Sequence, residues 1–500
     1  MTEELQTRHS RCRPMDLCAA LPCADSHPPP RNCPITIPKL AYLHTGGYYP
    51  DMQDYIREPA RELPVVHEAD ICVVGGGCTG VFAAVRAARL GARVAIIEKQ
   101  NCFGGVATAG GVNIWHSLYS TDGGRQIIGG LTQEVIERLA RRGAVTGDVR
   151  EAGVFAFNPE ELKIELDELI IAHRVTPFLH TFYAYPALEE GRLRAVVVEN
   201  KNGRQAIRAA QFVDATGDAD LARSVGVPCR ESGALQPPTM CAKIQGLSTL
   251  GDFNWTEALS RHGPAFGLEE DWGWGSAIPG LRDIQMRADT HVFNTDVSDA
   301  DQLTRGEIEG RRKIRALLDI LRQHGPPDSR VGLVALAATL GGREARRIAG
   351  RHTLTGDELL HGRRFPDAIA NGTYPVDTHH ADTPGITFRY LDGTERVIPD
   401  RHSPAIVGRW REPLPEDPTF YQIPFRSLVQ DHVPNLVVAG RMLDADKVAF
   451  SAVRVMVNLN QTGEAAGVAC VLAARQRCAI ADVAPRQLRD LLAEGGSVIL

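Results

Sequence analysis

Three glycines and one acid mark the first place where this chain can do chemistry. Gly75-x-Gly77-x-x-Gly80 follows the apolar run Ile71-Cys72-Val73-Val74 without a break, and Glu98 closes a second apolar run, Val94–Ile97. Glycine at the first position permits a tight turn. At the second it lets the backbone approach a diphosphate, and at the third it lets a helix pack close to a sheet. The helix that follows offers free N–H groups and a partial positive charge to phosphate oxygens. Glu98 suits both ribose hydroxyls of an adenosine, and its charge repels a 2′-phosphate, so the spacing predicts FAD or NAD rather than NADP. Cys78 and Thr79 in the turn and Lys99 beside the acid are the adjoining candidate contacts. A glycine-rich turn without a ligand is the competing reading; strand, helix, strand and acid in register argue against it.

A second group of side chains suits acid–base work and anion binding. In Asn113-Ile114-Trp115-His116-x-x-Tyr119, His116 is a candidate acid or base and Tyr119 a candidate hydroxyl donor; a packed, hydrogen-bonded histidine is the alternative. His379 and His380 are adjacent in the run Tyr374–His380. Neighbours on an extended chain point opposite ways, so one is expected to meet substrate, with His379 the candidate, and the other solvent. No metal-ligand spacing accompanies them, and no metal is expected. Arg343, Arg441 and Arg454 carry the planar fork that suits a carboxylate, and Arg454 is counted among the catalytic candidates. Arg346 and Arg347 read as a solvated helix face. Trp255, Trp272, Trp274 and Phe266 either line an apolar pocket or pack in a core. Cys102 has no partner at a Cys-x4-Cys spacing, which argues against thiol–disulfide exchange.

These residues need elements to hold them. A buried strand, an Ala-rich helix over Val81–Leu90 and a second strand form the nucleotide unit, at about residues 66–110. Helices are predicted over Thr132–Arg142 and from Pro159, where Asn158 is the N-cap. Phe178–Ala184, Leu193–Glu199 and Gln205–Ala209 read as a β-meander with turns at Glu189-Glu190-Gly191 and Lys201-Asn202-Gly203. Phe212-Val213 then reads as a strand returning to the nucleotide sheet, with Ala215-Thr216-Gly217-Asp218 a tight loop at its end. Residues 228–430 are rich in Pro, Gly, Trp and His, with interrupted helices. Asn435–Ala439 restores a strand, Gly440-Arg441 a loop, and Ser451–Ala474 is mostly helix.

The chain has 500 residues, enough for two or three domains. Its apolar content of 43%, charged content of 23% and net charge of −6 are those of an ordinary globular protein without a basic patch, so nucleic acid is not expected as a partner. No apolar run reaches the ~18 residues of a membrane span, and no secretory signal is read, so a cytoplasmic location is expected. Eleven cysteines is an odd count. Cys12, Cys18, Cys23 and Cys33 fit no common zinc or ferredoxin spacing; residues 1–65 read as a partly disordered extension, and the other thiols as free.

With its motifs in order, the chain resembles the FAD-dependent oxidoreductases of the glutathione-reductase-like superfamily, close to fumarate reductase flavoproteins and the flavin subunit of heterodisulfide reductase. The motifs are the fingerprint from Gly75 to Glu98, Gly104-Gly105-x-Ala107-Thr108, the 215–218 loop, Gly342–Arg347, residues 362–377 and residues 438–456. The resemblance implies an α/β, FAD-binding Rossmann-like domain with a β-meander over 66–227 and 431–480, and an inserted α+β substrate or cap domain over 228–430. It implies FAD contacts from Gly104, Gly105, Thr108, Thr216, Gly217, Asp218, Gly440 and Arg441, and a helix start near Ser451–Asn460 aimed at the flavin's pyrimidine edge. The three arginines then bind either a substrate carboxylate or the flavin carbonyl. Lys447 stands where relatives often carry His. No second GxGxxG is present, so the redox partner is oxygen, a carrier protein, a quinone, or nicotinamide bound without that motif.

The expected activity is hydride transfer between a small organic substrate and flavin N5. A redox-neutral flavin-containing lyase or hydratase, and a flavoprotein subunit passing electrons to a partner, are the alternatives. A homodimer is also expected.

Overall fold

The computed structural model describes residues 56, 58–147, 153–230, 233–271 and 273–500. The N-terminal cysteines Cys12, Cys18, Cys23 and Cys33, and Trp272, lie outside the described residues.

Strand β1 (Val65–Val74) becomes fully buried from Ile71 onward, as a parallel strand covered on both faces must be. Helix α1 (Cys78–Arg89) and strand β2 (Val94–Ile97) complete the nucleotide unit. Next in chain order come β3 (Ile114–His116), α2 (Gly130–Arg141), β4 (Val145–Thr146), β5 (Val154–Phe157), α3 (Pro159–Ala172) and β6 (Thr176–Phe178). Asn158 caps α3, its side chain accepting from the Glu160 N–H at 3.0 Å. β7 (Phe182–Glu189), β8 (Arg192–Asn200) and β9 (Gly203–Asp214) follow.

The main sheet has the order β6-β2-β1-β9-β8-β7, and a late strand, Leu436–Val438, also pairs with β9. The predicted Phe178–Ala184 strand is in fact split. β6 joins β2 in parallel, and only β7 enters the antiparallel meander with β8. The predicted strands at 205–209 and 212–213 are one strand, β9, whose first half pairs with β8 and which runs parallel to β1 from Ala206 to Asp214. A continuous strand needs no break there because both halves keep extended backbone while exchanging neighbours.

Register matters most at one edge. Val74 pairs with Ile97 and Asp214, and Asp214 pairs with Val438. Four parallel strands therefore end level, and the loops after them emerge side by side.

Within residues 228–430 two antiparallel sheets stand apart from the main one. The first orders as Trp274–Ala277, Ile284–Ala288, Ala242–Gln245 and Gly332–Leu336; the second runs in order through Val376–His379, Ile386–Arg389, Thr394–Ile398 and Ile406–Arg409. Helices here are not all interrupted: Ala300–His324 is a single helix of 25 residues, capped by Asp299. Its apolar stripe, including Ile314, Leu317, Leu318 and Leu321, packs with Met240 and Ile244.

The C-terminal helical region is also corrected. It consists of Lys447–Val453 and Met456–Gln476, separated at Arg454-Val455. Gly463 and Gly467 lie one turn apart on the second helix; a Cβ on them would stand 2.1 Å from Thr79 O and 2.3 Å from Ala83 O. The missing side chains let α1 pack directly against this helix and bring both N-termini to the level edge.

Candidate active site

Gly75, Glu98, Ala215 and Ala439 directly follow the four level strand ends, and all line one cavity of about 420 Å³. This is where a parallel sheet with crossover helices exposes loop backbone to a ligand. Gly75 takes φ +107, and a Cβ there would lie 2.2 Å from the Ala215 carbonyl oxygen. Gly77 differs: its φ of −59 suits any residue, and a Cβ would meet nothing nearer than Gly105 Cα at 4.0 Å. A side chain at Gly77 would thus stand in the cavity itself.

Glu98 is braced by backbone. Its Oε2 accepts from Gly76 N–H at 2.7 Å and its Oε1 from Gln100 N–H at 2.8 Å. Burial raises its pKa while those N–H groups pull it down. Each oxygen retains a lone pair for a hydroxyl. Asp214, fully buried, shapes the 215–218 loop by accepting from Thr216 N–H, Thr216 Oγ1 and Ala222 N–H at 2.8–3.0 Å. Burial pushes it up to about 6. Asp218 Oδ1 accepts from Arg441 Nη2 at 2.6 Å, so these cavity-lining loops carry a neutralised pair.

The helix Met456–Gln476 starts at the same cavity. Val455 is its N-cap and makes no side-chain cap bond. The predicted helix start near Ser451 is displaced to this point by the break after Val453. Asn460 lines the cavity, and both polar atoms of its amide are buried without a hydrogen-bond partner among the described residues. A buried amide in that state calls for a partner from outside the chain.

Beyond this cradle the cavity continues to a buried polar cluster. The strand Val376–His379 puts Asp377 and His379 on one face, just after Tyr374-Pro375. Tyr374 Oη donates to Asp377 Oδ2 at 2.5 Å, and Arg454 Nη2 donates to the same oxygen at 3.0 Å. His379 Nε2 lies 3.4 Å from Asp377 Oδ1. The rings of His116 and Tyr374 are 4.1 Å apart. Behind His379, at 4.8 Å between rings, His291 holds Asp271 through Nδ1 at 2.6 Å.

Burial, then the charge of Arg454, pushes His116 down to about 3. Burial, then Arg343, holds His379 well below its ordinary value. Both imidazoles are therefore uncharged near neutral pH. Burial, then the Asp377 charge, holds the Tyr374 hydroxyl well above the usual range.

The structure brings His116, His379 and Arg454 to the cavity with Gly75, Gly77, Cys78, Thr79, Glu98, Lys99, Gly104, Gly105, Thr216, Gly217, Asp218, Gly440 and Arg441. Tyr119 is not among the lining residues: it lies past the end of β3 and bridges to Gln126. Gly80 and Thr108 are also set back. A Cβ on Gly80 would meet Gly75 O at 1.9 Å, and Thr108 Oγ1 donates to Phe103 O at 2.6 Å, so both support the cradle without lining it. Lys447 donates to Ala234 O instead of lining the cavity.

Arg346 and Arg347 are not on a solvated helix face. Arg347 is buried against Glu344, and Arg346 reaches Asp218 O and Asp220. Trp274 lines the cavity, Trp255 stacks under Arg287, and Phe266 packs beside the long helix's core. Sequence reasoning passed over Tyr374, Asp377 and Asn460; the two-residue period linking Asp377 to His379 was the available signal. Among the described residues, no group of three or more His, Cys, Asp or Glu could hold a metal, and no helix is long and apolar enough to cross a membrane.

A family model described as FAD dependent oxidoreductase matches residues 70–492. The soluble pyridine nucleotide transhydrogenase of Chromohalobacter salexigens is 30% identical over 159 residues, which span 30% of this chain and 31% of that protein. A geranylgeranyl bacteriochlorophyll reductase-like protein from Thermoplasma acidophilum superposes with a TM-score of 0.42 at 11% identity, covering 86% of this chain and 83% of that one. The p-nitrophenol 4-monooxygenase of Pseudomonas putida DLL-E4 does so at 0.35 and 13% identity, covering 57% and 70%.

Proposed function

This chain belongs to the FAD-dependent oxidoreductase family, and from that premise we propose that it moves a hydride between a small organic substrate and N5 of FAD. One observation supports the reading above others: a single cavity joins the glycine cradle to the buried Asp377 and His379 and the half-buried Tyr374, Arg454 and His116.

The residues present fit the cofactor. Gly77 and Gly105 leave the cavity floor without side chains, and the unpartnered Asn460 amide waits at the start of a helix. Glu98 would hold the adenosine ribose, the α1 N-terminus the diphosphate, and Asn460 the polar edge of the flavin ring. When bound, FAD supplies a hydride acceptor or donor at N5.

The chain's own groups do the remaining work. Oxidising an alcohol or amine carbon releases one proton from the attached O–H or N–H. Tyr374 takes that proton at Oη while passing its own to Asp377 Oδ2, 2.5 Å away. Arg454, bonded to the same oxygen, holds Asp377 oriented for the transfer. His116, uncharged and packed at a tilt against Tyr374, positions the phenol ring and excludes water. In the reductive direction the same path runs backwards. Residues 66–227 and 431–480 are assigned to the cofactor side and 228–430 to the substrate side.

Anaerobic mixing of holoenzyme with candidate substrates tests the reading. Loss of the flavin's visible band on addition of a substrate is the expected result. Product formed while that band stays unchanged throughout the turnover would replace hydride transfer with a redox-neutral reaction.

A further inference from the structure

Among the arginines around the cavity, Arg343 stands apart. Arg454 is paired with Asp377, Arg441 with Asp218, Arg346 with Asp220 and Arg347 with Glu344. Arg343 has no ion-pair partner among the described residues. Its two hydrogen bonds both leave from Nη1, to Pro237 O and, at 2.7 Å, to Thr239 Oγ1. The Nε–Nη2 edge carries no protein bond among the described residues, and the side chain lines the cavity. Arg343 is half-buried in the cavity wall, and burial, then the Arg454 charge, lowers it to about 10.

A guanidinium so placed remains charged at neutral pH and lacks a counter-charge in contact. The two acceptors on Nη1 fix its plane. The free edge is then a preorganised fork, and the ligand group with matching planar geometry is a carboxylate. Asp377 and Asp271 act on Arg343 only electrostatically, and each is already engaged, by Arg454 and His291. Beside Thr239 the cavity wall becomes apolar. Cys241 and Ala288 belong to a small core cluster against which Val112 and Trp274 pack, and all four line the cavity.

We propose that the substrate is a monocarboxylate with an apolar body, its carboxylate on the Nε–Nη2 edge of Arg343 and its body against Val112, Cys241, Trp274 and Ala288. The proposal rests on the hydride-transfer reading only in calling this ligand the substrate. The anion site itself is independent of it. Charge explains the choice of arginine: a carboxylate at Arg454 would have to displace Asp377, whereas at Arg343 it displaces nothing.

The test is titration of holoenzyme with acetate, butyrate and benzoate, and with neutral benzamide, by calorimetry and by the flavin's visible spectrum. Benzoate is expected to bind and to perturb the spectrum, with benzamide at least about tenfold weaker. Arg343→Met is expected to weaken benzoate by at least about tenfold while retaining full FAD content, and Arg343→Lys to fall between. Thr239→Val, which frees the guanidinium to turn, should weaken benzoate less than Arg343→Met does. Failure of all three carboxylates to bind, or unchanged benzoate affinity in Arg343→Met, overturns the proposal. So does loss of FAD from both Arg343 variants, which would make Arg343 a cofactor residue. Benzoate binding through Arg343, in an enzyme that forms product with its flavin oxidised throughout, leaves the anion site standing and overturns only the hydride-transfer reading.

Discussion

Tyr374 and Asp377 share one proton position inside the cavity: the hydroxyl of the first lies 2.5 Å from a carboxylate oxygen of the second. They stand three positions apart in the sequence, and Arg454, from the distant C-terminal region, completes the group at 3.0 Å. The carboxylate is thereby fixed by two donors on one oxygen.

Tyr374→Phe removes the proton path but keeps the ring on His116. Turnover is expected to fall by roughly 10²–10⁴ with FAD content unchanged. Asp377→Asn should lose as much activity and also stability, because Arg454 is left buried without its counter-charge. Steady-state kinetics beside thermal unfolding of both variants checks this; Tyr374→Phe with full turnover would remove the phenol from the mechanism.

His116 gives a signed pH dependence. Its pKa in the folded chain is lowered to about 3, against an ordinary value of 6.5, by burial and then by Arg454. The unfolded chain therefore takes up a proton at His116 below about pH 6.5 that the folded chain refuses until about pH 3. Stability from this group is complete above the ordinary value and declines as pH falls through that window. His116→Gln should flatten the loss between about pH 6.5 and 4 relative to the parent. Urea unfolding of both proteins across that range measures the difference, and parallel curves would contradict it.

Gly77 and Asn460 both line the cavity, the first as open backbone and the second as an unpartnered amide. Gly77→Val would place a side chain in the empty floor of the cradle, and the protein is expected to purify folded and colourless. Asn460→Leu keeps the volume and removes both amide atoms, so FAD should bind more weakly by about 1–3 kcal/mol. Absorbance after purification and FAD titration of the stripped protein separate the two effects. Normal FAD content in Gly77→Val would refute the cradle.

Gly463 is not among the residues lining the cavity, yet it bears on them. A Cβ there would sit 2.1 Å from Thr79 O, so Gly463→Ala must push α1 away from the C-terminal helix. A stability loss of about 1–3 kcal/mol is expected, with weaker FAD binding because Thr79 lines the cradle. Thermal unfolding with and without added FAD distinguishes that from a purely local effect.

Much of the cofactor side was legible in the residues because it is local. Strand, turn, helix and acid run contiguously from Ile71 to Glu98, and each step is set by side-chain period and turn chemistry within a few residues. Asn158 and Pro159 likewise announced the start of α3. Boundaries failed where one strand exchanges partners, as in β9, and where the helix after Ser451 breaks at Arg454-Val455, since extended or helical propensity alone marks neither. The 25-residue helix Ala300–His324 went unseen because Gly306 and Gly310 interrupt its pattern. In the fold those glycines let it approach Thr295 and Met240.

What the amino-acid order determined by itself is a dinucleotide-binding α/β unit and the residues that floor it, because short-range sterics and hydrogen bonding decide such a unit. Only the tertiary structure decided that Tyr374 faces the cavity where Tyr119 does not. It likewise decided that Arg454 is spent on Asp377 while Arg343 keeps an open edge. Those assignments depend on charges and surfaces brought together from residues 116, 239, 343, 374–379 and 454, and no local rule relates positions so far apart along the chain.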